Sequence, residues 1–172
     1  MTDEQDPGGL RLAGTIAALT SDSSYVRRAR ARDVDAILAV IGTYVAQHVL
    51  LPRTREEILA HIDTWWVSDL NGDVVGCAAL RDYGDGLAEL RSLSVVAEAH
   101  GRGLGESLVH AVVREARRHE MTRLFAITSN PGYFARHGFA EITMEEVPDV
   151  LHVDRVPWPR RSGAGHAMEL AL

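Results

Sequence analysis

Residues 88–106 of this chain, AELRSLSVVAEAHGRGLGE, decide its fold. The first half alternates as a β-strand does, and the second half opens through a glycine-rich loop, residues 100–105, into an amphipathic helix pattern from about Glu106 to His119. Glycines let the backbone approach an anion, and the N–H groups and dipole of a helix N-terminus then hold it. The stretch therefore predicts an anion-binding loop between a strand and a helix.

The composition limits the classes of protein that this chain can be. Its 172 residues, 46% apolar and 24% charged, suit one globular core, and the single cysteine, Cys77, excludes a disulfide framework and suits a reducing compartment. The net charge of −6 argues against a nucleic-acid surface, and no apolar run approaches the roughly 20 residues of a membrane helix. We expect a cytoplasmic protein with neither a nucleic-acid nor a membrane partner.

The chain divides into a short leader and one domain. Residues 1–22 place acidic side chains before a short apolar stretch and lack the basic start of a secretory signal. We expect a flexible N-terminal leader over residues 1–22 and a single domain over residues 23–172.

Upstream of the loop, the pattern predicts a strand at 25–30 and then two helices. Apolar residues recur at helical spacing after Asp33, which can cap the first helix. Thr54 and Glu57 form a capping box that starts the second helix, with Arg53 just before it.

Three strands then form an antiparallel meander. Residues 65–67 begin a strand, Asn71-Gly72 is a hairpin-turn signal, and the returning strand covers 74–80. A second turn, DYGDG at 82–86, leads into the strand at 87–96.

Downstream of the loop helix, the pattern predicts a short strand at 124–127 and a short helix that starts at Asn130-Pro131 and ends at Gly138. Strands at 139–144 and 166–172 follow, the last of them at an edge. The order βαα-βββ-α-β-α-β-β predicts an α/β (α+β) fold with a mixed sheet.

The spacing of the glycines and the elements around the loop distinguish between the known anion-binding motifs. A dinucleotide fingerprint belongs in a parallel βαβ series, and a Walker loop ends in Gly-Lys-Ser/Thr, so neither fits; a turn that binds nothing is the plain alternative. The loop resembles the R/Q-x-x-G-x-G/A signature of the GNAT superfamily of N-acetyltransferases, with His100 in the Arg/Gln position. The order of the elements and SNPGYFARHGF at 129–139 match that superfamily too.

The resemblance implies acetyl-CoA as the co-substrate. The loop amides would hold its pyrophosphate, and the fourth strand would run beside the pantetheine arm. The implied contacts are Leu93, Ser94, Val95, His100, Gly101, Arg102, Gly103, Leu104, Gly105, Glu106, Asn130 and Phe134.

Four segments, at 50–57, 74–80, 88–95 and 123–139, resemble the acetyltransferase domain of N-acetylglutamate synthases. The resemblance implies acetyl transfer to the α-amine of L-glutamate, or alternatively of L-glutamine, as the first step of arginine biosynthesis. The chain has no room for the amino-acid kinase domain that many synthases carry, so we expect the short, single-domain type.

Acetyl transfer to an amine requires a base and a polarised thioester. Glu89, on the fourth strand, is the predicted general base, and the resemblance assigns that role to the same position. Backbone N–H groups near Ser92 and Leu93 could polarise the carbonyl. Many GNAT enzymes use a tyrosine as the thiolate's acid where this chain has Phe134, and Thr128 instead matches a hydroxyl residue of the synthases.

The acceptor's carboxylate requires a cation, preferably a forked arginine. By resemblance Arg53 binds it, Arg55 is the neighbouring alternative, and Arg91 shares the face of Glu89. Near the C-terminus, the arginines that could bind the side-chain carboxylate are Arg155, Arg160 and Arg161.

Other functions stay open at this point. The spacing of the histidines, among them His100, His110 and His119, suggests no metal site. A second hypothesis is acetyl transfer to another amine, such as a protein N-terminus, a polyamine or an antibiotic. A third is a non-catalytic acyl-CoA sensor. A homodimer is expected from the family alone.

Overall fold

The computed structural model of the protein describes residues 23–153 and 165–172. The expected leader, residues 1–22, and the three arginines Arg155, Arg160 and Arg161 lie outside the described residues. No helix among the described residues is both long and apolar enough to span a lipid bilayer.

The domain contains seven strands and five α-helices in the described ranges. The strands are β1 (Ser24–Arg28), β2 (Trp65–Leu70), β3 (Asp73–Gly84), β4 (Leu87–Val95), β5 (Arg123–Thr128), β6 (Ala140–Ile142) and β7 (His166–Ala171). The helices are α1 (Val34–Ala46), α2 (Arg55–Ala60), α3 (Leu104–Arg118), α4 (Pro131–Ala135) and α5 (Asp149–Val153). The predicted order is confirmed, and α5 is an addition that the irregular pattern there did not indicate.

All seven strands form one mixed sheet in the order β1-β2-β3-β4-β5-β7-β6. Strands β2 to β4 form the predicted antiparallel meander, β1 pairs antiparallel with β2, and β4 pairs in parallel with β5. The prediction of a last strand at an edge is wrong, because β7 lies between β5 and β6 and pairs with both. β6 forms the edge and is shorter than the predicted strand at 139–144.

The predicted cap of α2 is confirmed, whereas the predicted cap of α1 is wrong. At α2 the capping box is confirmed, since the Thr54 hydroxyl accepts from the Glu57 N–H and the Glu57 carboxylate accepts from the Thr54 N–H. Asp33 does not cap α1 with its side chain. Its buried carboxylate instead accepts from the Arg27 guanidinium and from the Arg30 N–H, each at 2.7 Å. This ion pair lowers the pKa of Asp33.

The core lies on both faces of the sheet. Helix α3, predicted to be amphipathic, buries Leu108, Val112, Val113 and Ala116 against one face, together with side chains of α4. The α1 and α2 helices cover the other face near β2 and β3, and α5 covers it near β5 and β7. The sheet is therefore enclosed between two helical layers, with the end of β4 in the middle.

Candidate active site

Strands β4 and β5 separate in the middle of the sheet. Their parallel pairing covers only three residue pairs and stops at Glu89 and Phe125. Both strands continue beyond that point, β4 to Val95 and β5 to Thr128. Ligands of open α/β sheets bind at the carboxyl ends of such neighbouring strands, so this gap is the natural place for an extended ligand.

A β-bulge interrupts β4 beside the gap. Ala79 pairs with Arg91 and Cys77 pairs with Ser94, so Ser92 and Leu93 together oppose one residue of β3. Ser92 has a φ of 54°, in the left-handed region. The bulge reverses the alternation, so that Leu93 and Val95 pack on the α3 side while Ser94 turns inward beside Cys77. Bulges re-aim groups in this way beside functional sites.

The side chains of Ser94 and Cys77 are buried and contact each other. Ser94 is buried and its hydroxyl donates to the Ser92 carbonyl, so only its backbone is left for the predicted coenzyme contact. Burial raises the pKa of the Cys77 thiol to about 12. Cys77 is therefore a buried free thiol.

The glycine-rich loop ends in an uncapped helix N-terminus. Gly103 is the N-cap of α3 with a φ of 72°, and no side chain caps the helix there. The first helical bond runs from the Ser107 N–H to the Gly103 carbonyl, which leaves the N–H groups of the preceding turn for an anion. The surroundings of Gly101 and Gly103 are open. The loop therefore fits a phosphate group.

His100 and Tyr44 fix the entrance of the loop. The Nε2 atom of His100 donates to the Val95 carbonyl at 2.7 Å, and the Tyr44 hydroxyl donates to the same carbonyl. The two side chains also contact each other at 3.1 Å. His100 thus ties the loop to the end of β4 and to α1. The sequence pattern gave no indication of Tyr44, because only the fold brings it to this position.

Gly105 makes room for a tyrosine of α4. A Cβ atom at Gly105 would lie 2.8 Å from the Tyr133 hydroxyl oxygen. That oxygen is buried and has no hydrogen-bond partner in the part of the chain that the structure describes. Burial raises the pKa of Tyr133, and the nearby Glu106 carboxylate adds to the effect. The tyrosine therefore borders the start of α3.

The remaining predicted residues on this side have structural partners. Asn130 caps α4 by accepting from the Tyr133 N–H, as predicted, and the Thr128 hydroxyl accepts from the Asn130 N–H at 2.9 Å. Phe134 is only 5% exposed and packs edge-to-face on Phe139. This packing leaves Phe134 little surface for the coenzyme contact expected from the sequence.

A cleft of about 460 Å³ lies on the sheet face that carries α2. Three residues of the predicted set line it together, Arg53 before α2 and the consecutive residues Arg91 and Ser92 of β4. The other charged residues that line it are Glu57, Arg81 and Asp82. Arg55 does not line it: its guanidinium pairs with Asp35 on the exposed side of α1 and α2. Arg53 is therefore the better placed of the two arginines for a carboxylate in the cleft, and the role of Arg55 stays a prediction.

Arg53 is the half-buried cation of the cleft. It makes no ion pair or hydrogen bond within the described residues. Burial lowers the pKa of Arg53, and repulsion from Arg91 lowers it further, while Glu57 and Glu89 partly offset the shift. A guanidinium in this environment is a ready partner for an incoming carboxylate.

Glu89 lies beside Arg91 of the cleft lining and is 7% exposed. The Tyr83 hydroxyl donates to its Oε2 atom at 2.8 Å, and the Nε atom of Arg91 lies 3.6 Å from the same oxygen. Arg81 pairs with Glu89 across β3 and β4, which places Tyr83 near Glu89 two residues further along β3. The sequence pattern put Tyr83 in a turn and did not indicate this contact, because it did not show that β3 continues to Gly84.

The histidines are less scattered than the sequence suggested. The ligand atoms of Glu106, His110 and His137 all lie within 4.8 Å of one another. Glu106 and His110 share one face of α3, whereas His137 follows α4. The sequence pattern missed this group because His137 lies on a separate element.

Comparison with known proteins supports an assignment of the domain. The model of the acetyltransferase (GNAT) family matches residues 28–142. An amino-acid acetyltransferase of Mycobacterium tuberculosis is 38% identical over 68% of this chain and 68% of its own length.

Two solved structures share the fold. An N-acetylglutamate synthase from Neisseria gonorrhoeae, complexed with coenzyme A and N-acetyl-glutamate, matches with a TM-score of 0.77 and 30% identity over 87% of this chain. The match spans 35% of that longer chain. A Mycobacterium tuberculosis protein in complex with CoA matches with a TM-score of 0.74 and 32% identity, over 86% of this chain and 99% of that one. The chain therefore belongs to the acetyltransferase (GNAT) family.

Proposed function

We propose that the protein transfers the acetyl group of acetyl-CoA to the α-amine of L-glutamate, as an N-acetylglutamate synthase does. The observation that carries the proposal is Arg53, a half-buried guanidinium with no ion pair in the described residues, in the same cleft as Arg91. The cleft is lined by three arginines, Arg81 being the third, and by two carboxylates, and this small positive excess favours an acidic acceptor over a polycationic one.

Arg53 binds the α-carboxylate of the acceptor in this proposal. Its planar fork suits a carboxylate and offers two parallel hydrogen bonds. Arg91 lines the same cleft and adds positive charge for the second carboxylate of glutamate. The side chain of glutamine is a neutral amide and needs no cation as its partner. The ratio of the acetylation rates of glutamate and glutamine therefore tests whether Arg91 binds the side-chain carboxylate.

Glu89 takes the proton from the ammonium group of the acceptor, directly or through one water. The Tyr83 hydroxyl at 2.8 Å orients its carboxylate towards the cleft. The burial of Glu89 beside the end of the β4–β5 pairing supports this role, because an acceptor in the cleft would meet a ligand in the gap near this residue. The base therefore joins the two halves of the site.

Acetyl-CoA binds along the gap between β4 and β5 and supplies the acetyl group. The uncapped N–H groups at the start of α3 hold its pyrophosphate, and Tyr44 and His100 keep the loop in place. The bulge directs backbone N–H groups near Ser92 and Leu93 at the thioester carbonyl. Thr128, at the end of β5, hydrogen-bonds the departing thiolate. The likeness to the gonococcal synthase, whose structure contains coenzyme A and N-acetyl-glutamate, supports this arrangement.

The test is thiol release from acetyl-CoA with a panel of acceptors. L-glutamate, L-glutamine and L-aspartate represent amino acids, whereas spermidine and a short peptide with a free N-terminus represent the other amines. We expect the highest kcat/KM with glutamate or glutamine. Turnover with spermidine or the peptide alone would contradict the proposal. Coenzyme A binding without turnover of any amine would favour the acyl-CoA sensor.

A further inference from the structure

Three potential metal ligands converge between α3 and the turn that follows α4. Glu106 and His110 lie four residues apart, so they project from successive turns of the same helix face. His137 reaches them from the other element, and its ring lies edge-on to the His110 ring at 5.9 Å. One ligand atom from each residue falls within 4.8 Å of the others.

The distances suit a metal ion after a small adjustment of the side chains. Zinc binds His nitrogen and carboxylate oxygen at about 2.1 Å, so two ligand atoms of a tetrahedral site lie roughly 3.4 Å apart. Glu106 and His110 are exposed, so these two side chains can rotate to bring their ligand atoms about an ångström closer to His137, and an ion can reach the group. Water completes the coordination.

The donor set selects the class of metal. Two imidazoles with one carboxylate suit zinc, nickel, cobalt or copper, whereas magnesium and calcium prefer oxygen ligands only. Imidazole nitrogens bind a metal ion as neutral donors, and the Glu106 carboxylate would bring one negative charge to the ion.

The position of His137 is set by packing rather than by chance rotation. Its ring packs at 62° on the Tyr133 ring, with centroids 4.8 Å apart. Tyr133 is in turn held against Gly105 at the start of α3. A ligand with a fixed ring orientation loses less entropy when it binds a metal.

We propose that Glu106, His110 and His137 form a binding site for one divalent transition-metal ion, with zinc as the best fit. A bound ion links α3 to the segment after α4 and neutralises Glu106, one residue from Gly105 of the loop. None of the three side chains lines the acceptor cleft, so the metal site is independent of which amine accepts the acetyl group.

Isothermal titration of the untagged full chain with zinc chloride tests the site. We expect one ion per chain, with affinity weakened roughly tenfold or more by His110→Ala and by His137→Gln, since even outer contacts of metal sites contribute that much. His119→Ala is the matched control, because His119 is an exposed histidine at the end of the same helix. Circular dichroism of each variant verifies that the fold is intact.

Each result of these experiments either supports or overturns the proposed metal site. No saturable zinc binding by the wild-type chain would overturn the proposal, as would equal weakening by the control variant and the two site variants. Anomalous diffraction at the zinc edge gives the position independently. A peak between the three side chains supports the site, and a peak elsewhere contradicts it.

Discussion

Arg53→Ala should weaken the binding of the amino-acid acceptor without weakening the fold. Arg53 is half-buried, has no ion pair in the described residues and is repelled by Arg91. Its truncation breaks no ion pair or hydrogen bond among the described residues, and the loss of the attraction from Glu57 and Glu89 is offset by the loss of the repulsion from Arg91. We therefore expect the free energy of unfolding to change by less than about 0.5 kcal/mol.

The effect on acceptor binding follows from the hydrogen bonds that a carboxylate would lose. A hydrogen bond to a charged group contributes about 1.5–3 kcal/mol. Arg91 lines the same cleft and is left to bind part of the carboxylate charge, so the lower half of this range applies. A loss of about 2 kcal/mol corresponds to a roughly 30-fold higher KM for glutamate.

The assay is steady-state thiol release at saturating acetyl-CoA, combined with urea unfolding of the same samples. Arg55→Ala is the matched control, because Arg55 is the neighbouring arginine but pairs with Asp35 outside the cleft. It should leave the KM for glutamate unchanged. A KM change below about threefold for Arg53→Ala, or equal changes for the two variants, would refute the assignment of Arg53.

Three further changes test the base, the strand and a buried ion pair. Glu89→Gln should lower kcat by roughly 10²–10⁴ with little change in the KM for acetyl-CoA, and a kcat within threefold of wild type would exclude Glu89 as the base. Gly76→Ala places a Cβ 2.9 Å from a backbone oxygen of β4 and should cost about 1–3 kcal/mol in urea unfolding, whereas Gly42→Ala, with open space around it in α1, should stabilise by about 0.5–1 kcal/mol. Asp33→Asn should cost about 3 kcal/mol at neutral pH. Because Arg27 lowers the pKa of Asp33 below 3.8, this difference should be complete above that pH and shrink as the pH falls further; a constant difference down to pH 2 would contradict the ion pair.

Local chemistry made part of the fold predictable from the sequence. The capping box of Thr54, the Asn71-Gly72 turn and the glycine loop each depend on residues within a few positions of one another. The face of β4 that carries Glu89 followed from simple alternation. These features survive in almost any tertiary context, so the pattern was sufficient.

Non-local pairing defeated the same approach elsewhere. Asp33 is a good local cap, but Arg27 and the Arg30 N–H compete for its carboxylate and prevail. The insertion of β7 between β5 and β6 depends on how three strands meet, which no single strand reveals.

In the candidate site, too, some residues could be predicted from the sequence and others could not. The resemblance pointed to Glu89, Arg53 and Ser92, whose roles stay predictions. Arg53 and Ser92 line one cleft with Arg91, and Arg91 pairs with Glu89. Tyr83 and Tyr44 were missed, because a lone tyrosine in a turn or a helix is usually a packing residue. The contacts of Tyr44 span 51 and 56 positions of the chain, so only the folded structure shows them.

The most direct test of the proposed site is a crystal structure with coenzyme A and L-glutamate bound together. The expected result is the α-carboxylate on Arg53 and the α-amine within about 3 Å of the Glu89 carboxylate, or one water away, at the open end of the β4–β5 gap. Glutamate bound outside this cleft, or with its amine turned away from Glu89, would contradict the proposed site and the role of its base.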